Sequence, residues 1–127
     1  GNQVPLTAGG VINASGVQAN RYSFNTTPFT GAGAHTITES DGFAVYMVDT
    51  STAASVVTLP NVGSTPGRFF IVKDISGDAA TYNITVNVKT SASETIDDDG
   101  STSYVITSNH GSATFISRGN SSNWYVV

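Results

Sequence analysis

The stretch RFFIVKD, residues 68–74, is apolar on both of the faces that an extended chain presents. Successive side chains of a strand point to opposite sides of the sheet. Phe69 and Ile71 therefore share one face, and Phe70 and Val72 the other. FAVYMVD, residues 43–49, reads the same way. Sheets covered on both sides give such runs. In a chain of 127 residues, two covered faces imply central strands or a subunit interface.

Working outward, the neighbouring segments alternate. In YNITVNV, residues 82–88, Tyr82, Ile84, Val86 and Val88 fall on one face, with Asn83, Thr85 and Asn87 on the other. In SATFISR, residues 112–118, Ala113, Phe115 and Ser117 oppose Thr114 and Ile116. Further candidate strands are HTITE (35–39), SVVTLP (55–60), ETID (94–97), SYVITS (103–108) and NWYVV (123–127). Gly, Asn and Asp turns separate them, and SNHG (108–111) and RGNSS (118–122) have hairpin-loop chemistry. Short strands at this spacing predict an all-β domain, an antiparallel β-sandwich of short strands. No internal repeat of fixed length is visible.

The sandwich is expected over residues 36–127. Residues 1–35 form a Gly/Asn-rich segment of loops with one strand, RYSFNTT (21–27). Such a segment buries too little alone, so it is expected to lie along the downstream sheet or a neighbouring chain.

Composition agrees with an all-β chain. Leucine occurs only at Leu6 and Leu59, while valine, isoleucine and threonine abound. Charged residues make up 11% of the chain, against about 25% in an average soluble protein. The net charge is −4 and the five cations (Arg21, Arg68, Lys73, Lys89, Arg118) are scattered. A phosphate-binding surface needs clustered Lys and Arg, so nucleic acid is not an expected partner. No stretch approaches the roughly 20 apolar residues that span a bilayer. With no cysteine, disulfides and thiolate metal sites are excluded.

The residues that carry chemistry are few. ETIDDDGST, residues 94–102, places Asp97, Asp98 and Asp99 in a row near Glu94. The calcium-loop spacing D-x-D-x-D-G is not met. The run reads as a solvated turn ending on Gly100 at positive φ, and no metal is expected. His35 and His110 lack a nucleophile elbow nearby. Asp74, His110 and a serine would be the least poor triad, and Asp74 with Asp78 the least poor carboxylate pair. Neither makes an enzyme the expectation, and no cofactor is implied. Arg68, beside Phe69 and Phe70, is either a sugar-stacking cation or an edge charge that solubilises an apolar strand. Trp124 and Val126 share one face of NWYVV, and Tyr125 and Val127 the other. Both faces carry apolar bulk, so Trp124 is expected in the core or a subunit seam rather than on an exposed sugar platform.

Several motifs, in order, carry a resemblance. They are TLP (58–60), PGRFFIVKD (66–74), SGDAATYNITV (76–86), TID (95–97), YVIT (104–107), GSATFIS (111–117) and NWYVV (123–127). Their order and spacing resemble a module near the C-termini of bacteriophage tail fibres and tailspikes. The resemblance covers about half the chain, from Thr58 onward, and departs at TIDDDGST, where extra acids extend the turn. It implies a homotrimeric domain at the virion's fibre or spike tip, attaching to a bacterial surface glycan. The alternative is a clamp that holds three chains of a tailspike depolymerase together and binds no ligand. Under this reading Tyr82, Tyr104, Asp78 and Arg68 are the candidate ligand contacts. Tyr22 and Tyr46 compete with them. Loops 76–83 and 95–104 are the expected receptor face. Trp124, Val126, Phe69 and Phe115 are the expected core or trimer residues.

Overall fold

The computed structural model describes residues 15, 16, 18, 25–29, 32–39, 43–64, 67–89, 93–97, 99–118 and 122–127. Among the described residues ten strands form in chain order. They are β1 (Asn25–Phe29), β2 (Gly33–Thr36), β3 (Phe43–Val48), β4 (Ser55–Thr58), β5 (Phe69–Asp74), β6 (Ile84–Asn87), β7 (Thr95–Ile96), β8 (Ser103–Ile106), β9 (Ser112–Ser117) and β10 (Asn123–Val126). One 3₁₀ turn, Val62–Ser64, lies between β4 and β5. The all-β expectation holds for the described residues.

The pairing is not that of an antiparallel sandwich. One sheet has the order β1-β3-β5-β9-β10-β7 and the other β2-β4-β6-β8. β1, β3 and β5 run parallel, as do β2, β4 and β6. The chain therefore alternates between two sheets, and each circuit stacks on the one before it, in a β-solenoid-like arrangement. Antiparallel strands complete the stack: β8 pairs with β6, and β9 with β5. β10 then pairs antiparallel with β9 and parallel with β7. The sandwich expectation fails because period-two burial is common to half-buried strands of either direction.

β1 and β2 form the first circuit, so Asn25–Phe29 and Gly33–Thr36 lie along the downstream sheets. The 35/36 boundary expected from the sequence falls inside β2. RYSFNTT meets β1 only at residues 25–27. Its remainder, with Tyr22, lies outside the described residues. The SNHG hairpin is also corrected. β8 and β9 belong to different sheets, so residues 107–111 form a corner between sheets. RGNSS does precede an antiparallel return, since Trp124 pairs with Ser117.

The two sheets enclose one core. Its largest members are Trp124, Tyr46, Phe70 and Phe115, with Val48, Val57, Val72, Ile84 and Val86 beneath them. Core residues meet across both kinds of ladder, Tyr46 beside Val72 in the parallel β3–β5 pair and Phe70 beside Phe115 in the antiparallel β5–β9 pair. Tyr46, Phe70 and Trp124 form a tilted aromatic chain with centroid spacings of 5.8 and 5.6 Å. Burying each such side chain contributes about 1.5–3 kcal/mol. Trp124 and Phe115 are thus core residues, and Val126 packs against the core. Phe69 takes the opposite face.

That outer face of the six-stranded sheet is apolar across adjacent strands. Val45 lies beside Ile71, and Phe69 beside Ile116, which in turn lies beside Tyr125. Most of these side chains are half-buried, and Ile116 is exposed. The outer face of the four-stranded sheet is mixed. One register row carries Thr58, Asn87 and Ser103, and the next carries Ala34, Val56, Thr85 and Val105, with Val56 and Val105 exposed.

Candidate functional site

The strand ends divide into two groups of loops. At one end of the stack, loops 49–54, 75–83 and 107–111 gather around Asp74, the final residue of β5. Asp74 is fully buried. Its Oδ1 accepts from the Thr50 hydroxyl (3.2 Å), the Ser76 amide and hydroxyl (3.1 and 3.0 Å) and the Gly77 amide (3.1 Å). Its Oδ2 accepts from the Ala79 amide (3.1 Å) and the His110 amide (3.0 Å). Burial pushes the Asp74 carboxyl up, but the amides of Ala79 and His110, the Ser76 hydroxyl and the Gly77 amide outweigh it and hold it at about 2. The carboxylate thus ties three loops to one strand end.

This geometry leaves Asp74 poorly suited to acid–base work. Both oxygens are saturated, and His110 approaches through its backbone amide. The imidazole lies over Gly77, where an added Cβ would sit 2.5 Å from the ring. Gly77 also has φ +83°, which glycine adopts without strain. His110 itself has φ 57°, and its carbonyl accepts from Lys73 Nζ.

Of the sequence-predicted ligand contacts, Asp78 and Tyr82 lie together in loop 75–83, where the Asp78 carbonyl accepts the Thr81 and Tyr82 amides (2.9 and 2.8 Å). Tyr82 is exposed. Tyr104 stands on β8, edge-on to Phe115 at 5.9 Å, and lines a small cleft with residues 105–108, Gly111 and Ser112. Arg68 is at the opposite end of β5. Its guanidinium lies 4.7 Å above the Phe70 ring and donates to the Glu39 carbonyl at 3.0 Å. Tyr46 is buried in the core and presents no ligand surface. The structure therefore brings Asp78 and Tyr82 together, sets Tyr104 on a neighbouring edge and places Arg68 elsewhere.

Nor do loops 76–83 and 95–104 share one end. The turn after β7 folds back along β10 rather than joining loop 75–83. Ile96 bridges to Ser101, and the Val126 amide donates to Asp97 Oδ1 at 2.9 Å. Asp97 has φ 58° and Gly100 φ +83°, so the turn does reverse on a left-handed glycine. The Ser101 amide donates to Asp99 Oδ1 at 2.8 Å, and that amide with the Ser101 side chain holds the Asp99 carboxyl below its ordinary range. Asp98 lies outside the described residues. No cluster of three or more His, Cys, Asp or Glu suited to a metal occurs among the described residues. Asp97→Asn should leave stability within about 0.5 kcal/mol, because asparagine keeps the acceptor and tolerates a left-handed backbone. Asp97→Ala should lose about 1 kcal/mol for the missing hydrogen bond. Paired thermal melts check both values, with and without calcium.

The second group of loops lies at the other end of the strands, where Arg68, Glu39, Lys89 and Glu94 are found. Glu39 accepts the Asn61 amide (3.2 Å) and pairs with Lys89, which holds its carboxyl at about 2. Glu94, just before β7, has the same parity as Ile96 and so points inward. It retains 3% of its exposure. The Val62 amide donates to Glu94 Oε1 at 3.0 Å, while Oε2 is buried without a partner. Glu94 lines an open cleft with Asn61, Val62, Gly63, Ser93 and Ser122. A buried carboxylate oxygen without a donor is costly, which makes this cleft the most chemically unsettled place in the described chain. The sequence signal was available in ETI: a glutamate in step with a buried isoleucine is an inward acid.

No family model and no curated protein matches this chain. No helix among the described residues is long and apolar enough to cross a membrane.

Proposed function

We propose that the chain is a phage tail-fibre or tailspike domain that assembles as a homotrimer at the virion tip and attaches to a host-surface polysaccharide. The observation that carries the assembly part is the apolar outer face of the six-stranded sheet. Val45, Phe69, Ile71, Ile116 and Tyr125 lie in adjacent strand registers there. Contiguous apolar surface of this kind marks an interaction site. The ordered motifs from Thr58 onward support the phage reading. Three sites on one rigid tip raise avidity through effective concentration, so each site can be weak. On this reading the domain binds and does not hydrolyse.

Light scattering tests the assembly. The wild-type chain should show a mass near three chains. Ile116→Glu should lower it to one chain while melting cooperatively, because Ile116 faces outward. Retention on bacterial surface polysaccharides should fall at least tenfold in that variant. An unchanged mass in Ile116→Glu would remove this face from the interface. A trimer that binds no polysaccharide would leave the clamp as the better reading.

A further inference from the structure

We infer that the cleft at the corner between β8 and β9 is a subsite for one neutral sugar ring, held by packing on Tyr104 and by hydroxyl hydrogen bonds rather than by charge. The inference rests on the polysaccharide-attachment reading above and says where on the molecule one sugar of the host chain sits.

The cleft opens where the chain crosses from one sheet to the other. Tyr104 and Val105 of β8, Thr107 and Ser108 of the corner and Ser112 of β9 line it. All five are exposed, Tyr104 at 38% and Val105 at 43%, so a ligand reaches them directly from solvent. The cleft holds about 150 Å³, half of the roughly 300 Å³ at which drug-sized pockets begin. That limits its occupant to a single ring. Tyr104 and Val105 belong to the four-stranded sheet. Covering the apolar face of the six-stranded sheet by assembly therefore leaves them accessible.

The lining is set before any ligand arrives. Fully buried Phe115 meets the Tyr104 ring edge-on, with centroids 5.9 Å apart and planes at 80°. Tyr104 also pairs with Val86 across the β6–β8 ladder. The corner is tied to the end of β5. The His110 amide donates to Asp74 Oδ2 at 3.0 Å, and the Asp74 amide donates to the Gly111 carbonyl at 2.9 Å. The Gly111 amide in turn donates to the Ser108 carbonyl at 2.8 Å. A site fixed in this way binds without the cost of ordering its own loops.

The lining also selects the ligand. A sugar ring has an apolar C–H face that packs on an aromatic π-face, and hydroxyls that both donate and accept. Tyr104 and Val105 offer the first kind of surface, and Thr107, Ser108 and Ser112 the second. No Lys, Arg, His, Asp or Glu is among the cleft-lining residues. Lys73, which neighbours Ser112 across the β5–β9 ladder, donates to the His110 carbonyl. A charged sugar would give up hydration there without meeting a counter-charge in the cleft. The expected class is therefore a neutral hexose or N-acetylhexosamine.

The test follows amide NMR shifts while the full chain is titrated with glucose, galactose, mannose, N-acetylglucosamine or glucuronic acid. At least one neutral sugar should shift the amides of Val105, Thr107, Ser108 and Ser112. Glucuronic acid should bind roughly tenfold more weakly. Tyr104→Ala should weaken the neutral sugar about tenfold, whereas Tyr104→Phe, which keeps the ring, should stay within about threefold of wild type. Thr107→Val, an exposed and nearly isosteric change, should cost about fivefold for the lost hydroxyl. Shifts confined to loop 75–83 or to residues 93–97 would overturn the subsite while leaving polysaccharide attachment standing. So would unchanged binding by Tyr104→Ala, or no shift with any sugar in a chain still retained on surface polysaccharides. Glucuronic acid binding as tightly as the neutral sugars would overturn the neutral class. If Tyr104→Ala does not fold, Thr107→Val decides, and unchanged binding there overturns the subsite. No shift with any sugar, together with no retention on surface polysaccharides, would overturn both readings.

Discussion

Asp74→Asn should destabilise the domain by about 3 kcal/mol and lower its melting temperature by roughly 10 °C. The carboxylate receives six donors, four of them backbone amides. Asparagine can serve one side of that ring of donors, but its amide must then face N–H groups on the other. Those hydrogen bonds also lose the strength that a full negative charge gives them. The pH dependence separates this from simple loss of packing. In the folded chain the Asp74 carboxyl is held at about 2, below its ordinary 3.8. Its contribution is therefore complete above pH 3.8 and is lost as the pH falls towards 2. Linkage sets that contribution at roughly 2 kcal/mol. Urea denaturation at several pH values should show the wild type losing more stability than Asp74→Asn across that window. Parallel acid profiles, or a variant within 1 kcal/mol of wild type at neutral pH, would refute the keystone role.

Trp124→Ala should cost about 3–5 kcal/mol, the range for deleting a large buried aromatic. Trp124 has no exposed surface and packs on Phe70 at 5.6 Å. It also occupies the strand that joins β9 to β7. Its indole Nε1 is buried without a hydrogen-bond partner. Trp124→Phe removes that unpaired donor along with some volume, so its loss should be much smaller, about 1–2 kcal/mol. Chemical denaturation gives both values, and saccharide binding per folded molecule should be unchanged in the phenylalanine variant. A stable Trp124→Ala protein that had lost sugar binding would mean that the ring is a platform and not a core residue.

Strand positions and their faces were legible because burial writes itself into alternation. Ile84, Val86 and Val88 are buried as their spacing requires, and Ala113, Phe115 and Ser117 face the core opposite Thr114 and Ile116. The two-sided character of RFFIVKD was equally plain, and its outer members Phe69 and Ile71 are half-buried. Strand direction was not legible. Nothing in a half-buried strand's own residues says whether its neighbour runs with it or against it. The stacked circuits left no fixed period either. The register step from Thr26 to Val45 is shorter than that from Val45 to Ile71, because the intervening loops differ in length. The candidate site was half legible. Asp78 and Tyr82 share one loop in sequence and in fold, whereas Glu94 stands out in the sequence only as a neighbour of the aspartate run. Asp74 has the look of a possible acid in the sequence, which shows the carboxylate but not the amides that fold around it.

The short strand β7 has a consequence for how the chain is made. Among the described strands its sheet partner is β10, and Trp124 must arrive before Ile96 gains a sheet neighbour. Synthesis proceeds from the N-terminus, so Ile96 emerges well before the strand that covers it. Pairings this distant along the chain form slowly, and apolar strands exposed meanwhile are prone to the wrong partners. The Asp97 turn is the local remedy. The Ile96–Ser101 bridge closes within the same stretch of chain and can form early. It would hold β7 folded back until translation delivers Trp124.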